Sequence, residues 1–60
     1  MNNWLISWFV EENDVTVEYK EERQYIADAL QLLQREILSA EGLQTVRIEP
    51  IGWEVGLSNA

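Results

Sequence analysis

The chain contains neither cysteine nor histidine, and at sixty residues that absence constrains it more than any feature it possesses. A domain of this size buries only about 60% of the surface its unfolded chain exposes, so stability is marginal without a staple. Disulfides and thiolate metal centres are excluded, and the commonest metal ligand and general base are missing too. The fold must therefore rest on one small apolar core, helped by self-association or by a partner. Sixty residues allow one domain, 1–60, with 58–60 expected to fray.

Hydropathy patterning divides the chain. Residues 4–10 are rich in aromatic and β-branched types and read as a strand, with Asn13-Asp14 suited to a turn. Val15-Thr16-Val17-Glu18-Tyr19-Lys20 alternates with a period of two and predicts a second strand. A four-residue loop pairs Val10 with Val15; a two-residue turn pairs Val10 with Val17. Either register puts Ile6, Trp8, Val10, Val15, Val17 and Tyr19 on one face. Trp8 is then a core residue, and Trp4 and Trp53 are the expected exposed pair.

From about Glu21 the spacing becomes helical. Ile26, Ala29, Leu30, Leu33, Ile37 and Ala40 form one stripe, which Tyr25 and Leu32 widen. Glu21 and Glu22 suit the positive N-terminal end of a helix, and Gly42 its C-terminal stop. Leu43 to Glu49 alternates again, with Val46 and Ile48 inward and Thr45, Arg47 and Glu49 outward. Glu49-Pro50-Ile51-Gly52 has the preferences of a type I turn. Trp53, Val55 and Leu57 then form either a short fourth strand or an extended tail. The expected fold is α+β, ββαβ(β), with one helix on one face of a small, mainly antiparallel three- to four-stranded sheet. A right-handed crossover places the third strand beside the first, in spatial order 2-1-3.

No constellation for catalysis emerges. A nucleophilic triad has no histidine, and Lys20 sits among acids that favour its charged form. Glu11, Glu12 and Asp14 lack the ligand spacing and glycine of an EF-hand, and no glycine-rich phosphate loop is present. The expectation is a non-enzyme with no metal and no cofactor. The longest apolar run is far short of a membrane span and lacks the basic flank of a signal peptide, so the expected location is the cytoplasm.

Eleven acids against four bases give a net charge of −7, and Glu11, Glu12, Asp14, Glu18, Glu21 and Glu22 crowd together. Direct binding of nucleic acid or of an anionic membrane is disfavoured, and basic protein surfaces are attracted. Two surfaces stand out. One is the open sheet face with Leu5, Ser7 and Phe9 in its middle and Trp53 as a further anchor. The other is the acidic hairpin, whose carboxylates can act as a solvated edge or occupy a groove built for phosphates.

The order strand, acidic turn, strand, helix, strand resembles the small phage-encoded inhibitors of bacterial RNA polymerase. The similar stretches are Ala27-Asp28-Ala29-Leu30-Gln31-Leu32 and Gly42-Leu43-Gln44-Thr45-Val46-Arg47-Ile48-Glu49-Pro50. The chain departs from that family in lacking a polar N-terminal extension and in having Glu49 where a basic residue precedes the proline. The resemblance implies a compact domain lodged in a positively charged DNA channel, and it implicates Glu18, Arg47 and Glu49. Anti-CRISPR proteins and nuclease inhibitors fit the same outline. The expected function is inhibition of a nucleic-acid-handling host enzyme by steric and electrostatic blockade. The expected contacts are Leu5, Phe9, Glu11, Glu12, Asp14, Glu18, Arg47, Glu49 and Trp53. The rival expectation is a structural or adaptor subunit that self-associates, as a homodimer, through the sheet face.

Overall fold

The structure, a computed structural model, describes residues 2–52. Strand β1 (Asn3–Glu12) and strand β2 (Val15–Arg23) form a hairpin. Helix α1 (Ile26–Leu32) continues as a π-helical turn (Leu33–Ile37), and strand β3 (Leu43–Ile51) completes the fold. The sheet order is β2-β1-β3, and β1 is antiparallel to both neighbours. This is the expected α+β arrangement with β1 central. Residues 53–57, expected as a fourth strand or a tail, lie outside the described residues.

The hairpin takes the two-residue turn. Asn13 and Asp14 have φ of 53° and 66°, the left-handed pair that matches the strands' right-handed twist. Val10 therefore faces Val17 and Trp8 faces Tyr19. Asn and Asp tolerate these angles better than other residues with a Cβ, because their short side chains bond locally.

Period two along the three strands sorts every side chain to a face. Trp4, Ile6, Trp8 and Val10 share one side with Val46 and Ile48. Ala29, Leu32 and Ile37 from the helical segment close over that side around the fully buried Ile6, with Trp4, Trp8, Leu33, Leu43, Val46 and Ile48 packed at the margin. Trp4 thus packs against the core, contrary to the exposure expected of it. Trp8 stacks on Tyr19 with ring centroids 5.7 Å apart.

Three expectations are corrected. Strand β2 runs on to Arg23, so Glu21 and Glu22 belong to the sheet and not to a helix N-terminus. Pairing with Leu5 and Ile6 gives those residues ladder bonds that an isolated helical turn could not offer. Strand β3 likewise runs through Pro50 to Ile51 where a type I turn was expected. The strand lies at the sheet edge, where a residue without an N–H is tolerated. Gly42, with φ +80°, does not stop the helix, which ends at Ile37. It instead brings the chain back against β1, where the Glu11 amide donates to its carbonyl at 2.9 Å.

The helical stripe is also rotated from the expected one. Ile26 and Leu30 are exposed, whereas Leu32 lies in the core. The cause is the π turn, in which the Leu38 amide donates to the Leu33 carbonyl five residues back, at 3.0 Å. That turn accommodates one extra residue, so the buried positions are 29, 32 and 37 where a continuous α-helix would bury 29, 32 and 36.

Candidate interaction surface

The side of the sheet away from the helix is organised in rows. Leu5 stands between Glu22 of β2 and Glu49 of β3; Ser7 stands between Lys20 and Arg47; Phe9 stands between Glu18 and Thr45. The register thus brings Leu5, Phe9, Glu18, Arg47 and Glu49 onto one face, with Glu11 next in line along β1. Leu5 and Phe9 are half-buried by their neighbours in the sheet. Ser7, small and 7% exposed, lies between them. Beside it is a shallow depression of about 310 Å³ bounded by Ser7, Phe9, Glu18, Thr45 and Arg47.

The ion pairs of this face are loose. Lys20 and Glu18 approach to 3.9 Å and Arg47 and Glu49 to 4.0 Å, each within a single strand, and the Arg47 side chain is 74% exposed. Exposed pairs at such distances contribute little and exchange partners readily. Arg23 and Glu21, on the helix side, are closer at 3.1 Å.

The hairpin end differs. Strand β1, at 10 residues, spans about 33 Å, whereas the helical segment, 7 residues of α and 5 of π, spans only about 18 Å. The hairpin consequently projects past the helix, and Val15, expected inward, is 59% exposed although its parity is that of the core. Glu11 and Glu12 close the strand and Asp14 sits in the turn, all exposed. Glu12 points to the helix side of the ribbon, where its carboxylate accepts a 2.7 Å hydrogen bond from the Tyr19 hydroxyl. That bond, with the nearby negative charge, raises the Tyr19 phenol above its ordinary value. Glu41 joins the same end through Gly42.

Charge is therefore segregated along the molecule. Lys20 and Arg47 lie in the row of Ser7, Arg23 in the row of Trp4, and Arg35 on the π turn. From the row of Phe9 outward, the charged side chains among the described residues of the sheet are all carboxylates. Glu41 was missed in the sequence because Gly42 was read as a helix stop, which assigned its neighbour to the helix. Lys20 and Glu22 share the parity of Glu18, the signal that could have placed them on the open face. Trp53 lies outside the described residues.

Among the described residues no cluster of three acidic side chains could hold a metal ion, and no helix is long and apolar enough to cross a membrane. Comparison with protein-family models, curated proteins and solved structures returned no match.

Proposed function

We propose that this chain is a protein-binding inhibitor, not a catalyst, and that its acidic hairpin occupies a basic groove of a nucleic-acid-handling enzyme in the cytoplasm. The observation that carries the reading is the segregation of charge. Glu11, Glu12 and Asp14 project beyond the helix with Glu18 one row behind Glu11, and the cations of the sheet stand at the row of Ser7 or farther back. A narrow two-stranded ribbon with carboxylates on both faces matches a groove that holds phosphates, and opposite charge speeds its entry. RNA polymerase, a nuclease and a CRISPR effector are the enzymes to which the electrostatics and the resemblance direct the search.

The test is capture from bacterial lysate by tagged protein at low and high salt, followed by inhibition assays on the captured enzyme. Capture is expected to be displaced by heparin and by high salt. It should be lost in a Glu11→Lys/Glu12→Lys/Asp14→Lys variant and kept in Asp28→Lys/Glu36→Lys, which alters only the helical segment. Equal capture by both variants would sink the hairpin mechanism.

A further inference from the structure

The open face is self-complementary under one two-fold axis. We infer that a second copy of this chain covers it, with the axis crossing β1 at right angles between Leu5 and Ser7. The row pattern selects this axis. Each row can be paired, across a face-to-face contact of two sheets, with a row of the other copy. An axis parallel to the strands sets Lys20 against Arg47 of the second copy and Glu22 against Glu49, like charge on like. A perpendicular axis between Ser7 and Phe9 sets Leu5 against the Glu11 carboxylate. The perpendicular axis between Leu5 and Ser7 sets Lys20 against Glu22 and Arg47 against Glu49, each twice by symmetry. It also sets each Leu5 over the small Ser7 of the other copy, beside the depression of about 310 Å³.

Two further observations agree. Lys20 and Arg47 hold their present partners at only 3.9 Å and 4.0 Å, so re-pairing across the contact sacrifices little. Glu22 makes no ion pair among the described residues, and this arrangement supplies one. The contact is small, on the order of 20 Å by 14 Å of sheet, below the size of a standard specific interface, so the association is weak and transient. Strand β1 of one copy runs antiparallel over β1 of the other, so the acidic hairpin ends project from opposite ends of the dimer. The dimer is thus bivalent for any partner of the hairpin.

Sedimentation equilibrium of the full chain tests this, over roughly 5 to 500 µM, a range that brackets micromolar association. The mass is expected to rise from 7.0 kDa toward twice that value. Lys20→Glu and Glu22→Lys should each weaken the dimer at least about tenfold, because each sets like charges together twice. Mixing the two variants should restore association, since every pair across the axis is then complementary. Near-ultraviolet circular dichroism of the tryptophans checks that each variant is folded. A wild-type mass fixed at 7.0 kDa throughout overturns the inference. Rescue of Lys20→Glu by Glu18→Lys in place of Glu22→Lys also overturns it, by moving the axis one row. The outcomes separate from those of the hairpin reading: a monomer that still captures an enzyme defeats only the dimer, and a dimer that captures none defeats only the hairpin mechanism.

Discussion

Gly42 meets Glu11 backbone to backbone. The Glu11 amide donates to the Gly42 carbonyl at 2.9 Å, and a Cβ built at position 42 would lie 2.5 Å from the Glu11 carbonyl oxygen. The φ of +80° adds a second objection to any side chain there. Neither contact partner can move cheaply, because Glu11 is fixed in β1 by pairing to Thr16. Gly42→Ala should therefore destabilise the domain by roughly 2–4 kcal/mol, combining left-handed strain with a backbone clash. Urea unfolding followed by tryptophan fluorescence measures this. A loss below about 0.5 kcal/mol, the level of ordinary surface substitutions, would refute the close approach.

The π turn makes a prediction of a different kind. Its extra residue separates Leu32 from Ile37, and Gln34 lies in that turn with its side chain exposed. Deleting Gln34 converts the burial spacing to that of a continuous α-helix, so the Ile37 side chain keeps its place over Ile6. The deletion should be tolerated within about 1 kcal/mol, because regular α-helical bonds replace the π geometry. Inserting an alanine after Gln34 instead carries Ile37 about 100° farther round the helix, off the core face, and should unfold a domain with so few buried side chains. Thermal melts of the deletion and the insertion decide the matter; equal damage from both would show that the π turn is not a one-residue insertion.

Strand pairing was legible because alternation is local and the hairpin faces were the same under both turn registers. Ile6, Trp8 and Val10 on one side and Leu5, Ser7 and Phe9 on the other followed from parity alone. Element ends were not legible, since they depend on partners distant in sequence. Glu21 and Glu22 carry helix-compatible side chains, and only the opposing Ile6 and Leu5 make them strand residues. Pro50 signals a turn by its own chemistry, and only its place on an edge strand admits it to the sheet. The helical stripe was misplaced because a 3.6-residue period cannot register a five-residue hydrogen bond. Of the candidate surface, the row Lys20–Ser7–Arg47 needed the pairing of β1 with both neighbours before it existed as a feature.

The hairpin turn is open to improvement at Asp14. With φ of 66° it occupies a conformation that glycine adopts without steric cost, and Asn-Gly is the preferred pair for this turn. Asp14→Gly should stabilise the fold by about 0.5–1 kcal/mol, seen as a rise in Tm of roughly 2–8 °C for a domain of this size. The same change removes one carboxylate from the acidic end, so enzyme capture should weaken while stability rises. A fall in Tm would indicate that the Asp14 side chain contributes a local bond worth more than the backbone strain it tolerates.

Tyr19 couples the fold to alkaline pH. Its hydroxyl donates to the Glu12 carboxylate at 2.7 Å, and that hydrogen bond, together with desolvation and the negative charge of Glu12, raises the phenol above 10.0. A phenol whose folded value lies above its unfolded value holds its proton more tightly in the folded state. It therefore contributes stability that is fully present below about pH 10 and is lost as pH rises through the folded value. Absorbance titration near 295 nm should show one of the two phenols ionising above the ordinary range, and Glu12→Ala should bring it down. In urea unfolding, wild-type stability should fall more steeply than that of Glu12→Ala as pH rises past about 10. Identical titration curves for the two proteins would mean that the bond between Tyr19 and Glu12 does not persist in solution.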